Sequence, residues 1–279
     1  MIAESALDVD KFWRDGYAII RNVYTPQEIA ALRKDVFASR DSNQGPRDLL
    51  SNPRLRRVLT DGNMIEVSRR LLGSDDIWYA GDSSYTINSG QRGYHKDNTD
   101  RKDPKAPDWT NGRYTILRFG IYLQDHYRHT GGLNLRVGSH TTTDHSFGPT
   151  LYVRTRPGDL AVWSLCTTHS GNGALLRFTP WKYPEPSMVS KLPKWSVAKP
   201  DGDRIAVFAA MGLDDAHHHR YIDYLKSRTY IINAVRNSVY DDEALAEADK
   251  AGLKVRDLRR EIEGDETVGK NADWQPTPY

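Results

Sequence analysis

His95-Lys96-Asp97, within the stretch YHKDNTD, sets an imidazole and a carboxylate two positions apart. In extended backbone, residues i and i+2 point to the same side, so one ion could accept both. Alone, the pattern fits a polar surface loop as well as a metal site. A third donor is His169, in GDLAVWSLCTTHSGN. The Pro157-Gly158-Asp159 turn predicts a strand whose alternating run ends near His169, with Ser170-Gly171-Asn172 turning away. Alone, His169 reads as a rim histidine satisfied by a hydrogen bond. Together, two imidazoles and one carboxylate grip a metal from one side and leave its other positions open.

The elements that must position these residues are legible in outline. Asp8 to Gly16 reads as a short helix, and Tyr17 to Val23 as a strand. Thr25-Pro26-Gln27-Glu28 gives a cap, a proline at the first helical position and an acidic first turn. The helix that follows places Ile29, Leu32 and Val36 on one face. Asn52 to Leu72 reads as a further helix ending near Gly73. From Ile77 onward, β-type runs alternate with turn signals: IWYA, SSYTI, YTILRFGIYL, LYVR, DLAVW, RIAVF and TYIINAV. The stretch 179–202, rich in Pro, Lys and Trp, reads as a long loop or insertion. Leu213 to Arg228 and the strongly charged Asp241 to Ile262 have helical spacing.

Composition sets the bounds. The 279 residues allow one large domain, and the single Cys166 excludes an intramolecular disulfide. A net charge of +2 gives no argument for nucleic acid or an anionic membrane. No apolar run reaches the roughly 18–20 residues of a membrane span, and no basic-then-apolar leader is visible. The expectation is a cytoplasmic protein acting on a small molecule, with its oligomeric state open.

The ligand set matches the facial arrangement of non-haem Fe(II) oxygenases, although zinc takes the same donors. At this point the sequence resembles a family. KFWRDGYAIIRNVYTPQEIAALR resembles the N-terminal opening of the phytanoyl-CoA dioxygenase-like, Fe(II)- and 2-oxoglutarate-dependent oxygenases. His95-Lys96-Asp97 fits their His-x-Asp pair. GGLNLRVGSH, Gly131 to His140, resembles their Gly-Gly…Pro-Gly-Ser-His segment, with Val137 where proline is usual. GDLAVWSLCTTHSGN resembles the strand that carries their distal histidine. The four segments stand in the family's order and span most of Phe12 to about Arg228.

The resemblance implies a mostly β (α+β) fold with a double-stranded β-helix, a cupin-like jelly roll, and flanking helices. Residues 1–279 would form one oxygenase domain: a helical part over 1–75, a jelly-roll core over 77–240 and a helical tail over 241–279. It implies Fe(II) on His95, Asp97 and His169, with 2-oxoglutarate and O₂ as cosubstrates. The expected reaction is hydroxylation of an unactivated C–H bond, with release of succinate and CO₂. Asp97 argues against a halogenase, because those relatives lose the carboxylate ligand.

The cosubstrate's distal carboxylate calls for an arginine, and the resemblance implies one on the strand after the distal histidine. Arg204, which begins the β run RIAVF, is preferred to Arg177, which enters the insertion. Trp163 and Tyr122 read as pocket or core. His126 and His129 read as exposed, and His217-His218-His219 as mostly exposed. Arg220, Lys226 and Arg228 read as a solvated helix face. Two other classes stay open: a zinc hydrolase that activates water on the same ligands, and a jelly-roll binding protein without turnover.

Overall fold

The structure, a computed structural model, describes residues 2–269 except 43, 44 and 46. The expected C-terminal tail beyond 269 lies outside the described residues. Asp8 caps helix α1 (Val9–Asp15), and Gly16 closes it at φ +82°, a conformation that favours glycine. Strand β1 (Tyr17–Ile20) is shorter than expected. Asp159 accepts hydrogen bonds from Arg21 and from the Asn22 amide, which turns the chain away. Thr25 and Glu28 then form a capping box on α2 (Pro26–Asp41), which buries Ile29, Leu32 and Val36. The single helix expected over Asn52–Leu72 is broken into α3 (Arg57–Thr60) and α4 (Asn63–Leu72). The break falls at Gly62, at φ +86°.

The next strand, β2 (Ile77–Ile87), joins two runs that the sequence separates, with a register shift between Tyr79 and Ser83. Helix α5 (Pro107–Thr110) precedes β3 (Leu117–Tyr122), β4 (Gly132–Arg136), β5 (Thr150–Val153), β6 (Leu160–Ser164) and β7 (His169–Gly173). The insertion carries only the short α6 (Pro186–Val189) and a 3₁₀ turn, and a bridge from Leu176 to Val197 ties its ends. The chain closes with β8 (Ile205–Gly212), α7 (Ala216–Ser227), α8 (Thr229–Asn237), α9 (Asp242–Ala251), β9 (Leu253–Lys254) and α10 (Leu258–Glu261).

Two sheets result. One has six strands in the order β1-β6-β3-β8-β2-β9, and the other has three in the order β5-β4-β7. Among the described residues every strand pair is antiparallel except β2 with β9. The chain is therefore a mixed helix-and-sheet structure. Alternation along β3 shows how the layers assemble. Leu117, Phe119 and Ile121 join a core shared with Ile29, Leu32, Val36, Ile65 and Leu71 of the N-terminal helices. Tyr122 faces the other way and packs with Leu133, Leu135 and Val153 of the small sheet.

Three expectations change here. TYIINAV is helix α8, not a strand: Ile231, Ile232 and Val235 are buried at helical spacing. Its β-branched residues have strand propensity, but packing decides the outcome. The charged run 241–262 is not one helix. Gly252 ends α9 at φ +76°, and Leu253 then pairs with Ile77 at the edge of the large sheet. Helix α7 starts later than expected because the Asp215 carboxylate accepts from the amides of His217 and His218.

Phe119 is fully buried where helices and large sheet meet. Phe119→Ala should cost about 3–5 kcal/mol of stability in urea unfolding. A loss under about 1 kcal/mol would mean that this layer is loosely packed.

Candidate metal centre

The site forms where the chain changes sheets. β6 belongs to the large sheet and β7 to the small one. Residues 165–168 make the crossing, held by hydrogen bonds from the Thr167 amide to the Ser164 carbonyl and from the Thr168 amide to Ser139 Oγ. His169 therefore begins a strand, where the sequence had it end one. It pairs with His95 through two reciprocal backbone hydrogen bonds of 2.9 Å each. Directly opposed residues of an antiparallel pair put their side chains on the same face. Asp97 stands two positions on, its amide donating to the Leu165 carbonyl at 3.2 Å.

Their donor atoms lie within 4.8 Å of one another. His95 Nε2 is 3.6 Å from Asp97 Oδ1, and His169 Nε2 is 3.4 Å from Asp97 Oδ2. His95 Nδ1 lies 2.9 Å from the Gly93 carbonyl, and His169 Nδ1 lies 3.0 Å from the Thr167 carbonyl. A carbonyl can only accept, so each Nδ1 carries the proton and each Nε2 lone pair turns toward the other donors. Burial, aided by His169, pushes the His95 pKa down to about 4 against the pull of Asp97. For Asp97, burial pushes upward, but His169, Arg118 and His95 outweigh it and hold the carboxyl well below its ordinary range. The resting site pairs a neutral His95 with an ionised carboxylate, as a divalent ion requires of its ligands.

Lys96, between the two, points the opposite way and is fully buried. Its Nζ donates to the Ser139 carbonyl at 2.6 Å and the Cys166 carbonyl at 2.7 Å, which pins the HKD segment to the crossing turn. Ser139 thus has a structural role at this turn. Arg118 was not singled out from the sequence. Its Nη2 lies 3.2 Å from Asp97 Oδ2 and 2.7 Å from Asp82 Oδ2. The available signal was an arginine inside the apolar run YTILRFGIYL.

The three residues open into a cavity of about 190 Å³ also lined by Tyr122, Trp163, Phe208 and Arg204. Arg204 is 5% exposed. Its Nε donates to the Gly131 carbonyl at 2.6 Å, and its Nη1 to Ser89 Oγ at 3.0 Å. Gly131, at φ +110°, leaves room for it: a Cβ there would stand 3.2 Å from Arg204 Cδ. Among the described residues no carboxylate forms an ion pair with Arg204. Arg177 is exposed and lines a separate cavity with Arg128, Arg154 and Lys199. Tyr230, brought by α8, also lines the cavity that holds His95, Asp97 and His169.

Three histidine expectations change. His126 is fully buried, with Nδ1 3.0 Å from Thr155 Oγ1. His217 and His218 are buried away from the cavity, and only His219 is exposed. Nor is the face of Arg220 and Arg228 simply solvated: Arg228 is buried, and Arg220 is paired with Asp100.

No protein-family model matches the chain, and no curated protein matches it in sequence. Solved structures do match. The non-heme alpha-ketoglutarate-dependent carbocyclase SnoK from nogalamycin biosynthesis is 16% identical with a TM-score of 0.53, covering 76% of this chain and 85% of that one. The non-heme alpha-ketoglutarate-dependent epimerase SnoN, of the same biosynthesis, is 16% identical with a TM-score of 0.52, covering 74% and 80%. HygX from Streptomyces hygroscopicus, solved with nickel and 2-oxoglutarate bound, is 15% identical with a TM-score of 0.52, covering 75% and 88%. At these identities the likeness is one of fold: the chain is similar in architecture to non-heme 2-oxoglutarate-dependent enzymes.

The His95 environment can be read directly by NMR of metal-free protein with labelled imidazoles. At pH 5.5 a free histidine, of pKa about 6.5, is mostly protonated. The His95 ring should remain neutral there, in the Nδ1–H form. A protonated ring at pH 5.5 would contradict the enclosed geometry.

Proposed function

We propose that the chain is an Fe(II)- and 2-oxoglutarate-dependent dioxygenase, residues 1–279 acting as one domain around a jelly-roll core. Its substrate would be a small polar or anionic metabolite, hydroxylated at an unactivated C–H bond. The observation that carries this reading is one cavity holding both a His-Asp-His donor set and a buried arginine that has no anionic partner among the described residues. Two sheets that share a core support the jelly roll.

The donor set fits a divalent ion. It offers two imidazole Nε2 lone pairs and one carboxylate, all on one side. His95, Asp97 and His169 would hold Fe(II), and Arg204 would take the distal carboxylate of 2-oxoglutarate. Bound metal and cosubstrate supply the oxidising chemistry, consuming O₂ and releasing succinate and CO₂. The protein's own groups prepare that site. The Gly93 and Thr167 carbonyls fix both rings. Gly131 and Ser89 hold the Arg204 fork in place for a bidentate carboxylate. Trp163, Tyr122 and Phe208 form an aromatic wall that limits water. SnoN is an epimerase and SnoK a carbocyclase, so product analysis must separate hydroxylation from those outcomes.

The test is anaerobic visible absorption of metal-free protein titrated with Fe(II), then with 2-oxoglutarate. A weak charge-transfer band should appear, and should be absent in His95→Ala, Asp97→Ala and His169→Ala. Arg204→Gln removes charge-assisted hydrogen bonds worth about 1.5–3 kcal/mol. It should raise the Kd for 2-oxoglutarate about 10–100-fold, while Arg177→Ala leaves it unchanged. Absence of both the band and 2-oxoglutarate binding would overturn the reading and favour a zinc hydrolase or a binding protein.

A further inference from the structure

Beside Asp97 stands a chain of three groups drawn from three elements, Tyr221 buried and Asp82 and Arg118 lining the same cavity with little exposure. Tyr221, on α7 and 1% exposed, donates its hydroxyl to Asp82 Oδ2 at 2.7 Å. Asp82, on β2, pairs with Arg118 Nη2 at 2.7 Å. The same Nη2 reaches Asp97 Oδ2 at 3.2 Å. Asp82 owes its direction to the register shift between Tyr79 and Ser83, where β2 departs from regular alternation. Such bulges re-aim side chains beside functional sites. Gly81, at φ +71°, belongs to this bulge, and a Cβ there would stand 2.6 Å from Leu258 Cδ1. The irregularity is thus packed in place.

We propose that Arg118, held by Asp82 and Tyr221, is a positioning residue that sets the Asp97 carboxylate for a divalent cation. This rests on the metal-centre reading above. The physical case is a competition. Facing Asp97 alone, a guanidinium so little exposed would close on it as a full ion pair and contend with the metal for the same oxygens. Asp82 takes the stronger share of Nη2, so Arg118 is left with one hydrogen bond to Oδ2. That bond fixes the rotation of the carboxylate without neutralising it. Tyr221 in turn fixes Asp82. Lysine keeps the charge, but its freely rotating ammonium lacks the guanidinium plane that fixes the two N–H directions at Nη2.

The test uses metal-free full-length protein and cobalt alone, at constant pH, without substrate. Co(II) titration gives a Kd, and the visible d–d bands report coordination geometry. Asp82→Asn and Arg118→Lys should weaken Co(II) binding about 10–100-fold and alter the bands. Tyr221→Phe, which deletes one oxygen and keeps the ring, should move both in the same direction by less, and it remains usable if the charge variants fold poorly. Thermal melts of the metal-free proteins separate the roles. Variants that melt lower but keep the wild-type Co(II) Kd and spectrum would overturn the positioning role. If wild-type protein binds no Co(II), or Asp97→Ala binds it equally well, the metal-centre reading itself has failed and the proposal falls with it.

Discussion

The two backbone hydrogen bonds that join His95 to His169 are the constraint on which the site depends. They cross a seam between segments 74 positions apart in sequence. Shifting this pairing by one residue would turn one imidazole to the opposite face, because strand side chains alternate with period two. The convergence of His95, Asp97 and His169 is therefore a consequence of register before it is one of side-chain rotamers. Everything that holds the register serves the site. The Thr167 and Ser139 hydrogen bonds fix the crossing turn, and Lys96 clamps the HKD segment to the same turn. Burying a lysine is unfavourable, and burial drives the Lys96 pKa down to about 8. Two backbone carbonyls at its ammonium offset that cost, and the same contacts lock the segment.

The layers around the seam explain why it is rigid. β3 presents Leu117, Phe119 and Ile121 to the helical layer, and Arg118 and Tyr122 to the cavity. One strand thus carries both the hydrophobic anchor and a charged group of the site. Gly120 lies between Arg118 and Tyr122 in sequence. A Cβ there would stand 3.1 Å from the Trp163 ring, so its absence leaves room for that indole. Trp163 in turn packs against the His169 ring, their centroids 5.5 Å apart.

Much of this was legible because it is local. The HKD spacing needs only the period of a strand, whereas the strand expected to run up to His169 in fact ends at Ser164. The Thr25–Glu28 capping box and the burial of Ile29, Leu32 and Val36 follow from helical spacing and cap chemistry. Where sequence reasoning failed, a distant partner decided. TYIINAV has strand-like composition, yet it is a helix because Ile231, Ile232 and Val235 find a core at helical spacing. Leu253 becomes a strand residue because Ile77 offers it an edge. His126 sits among polar neighbours in sequence but lies under the Tyr122 and Tyr152 rings in space. Asp82 and Arg118 were invisible as a pair: they lie 36 positions apart, and neither belongs to a motif.

The charges that line the cavity are unevenly matched, and the imbalance points toward a ligand. Asp82 and Asp97 share Arg118 at one end. Arg204 lines the same cavity with a backbone carbonyl and a serine hydroxyl as its side-chain hydrogen-bond partners, and burial lowers its pKa. A fold selected for stability alone has little reason to retain this. Burying an unpaired cation is costly, and a packed apolar side chain would be neutral or better. The triad end has the complementary problem, since one shared guanidinium leaves Asp82 and Asp97 short of positive charge. A divalent cation on Asp97 and an anionic group on Arg204 would relieve both imbalances at once. The proposed pairing of Fe(II) with a dianionic 2-oxo acid satisfies both ends with a single chelate. A zinc-bound water would relieve only the first, leaving the burial of Arg204 without a purpose.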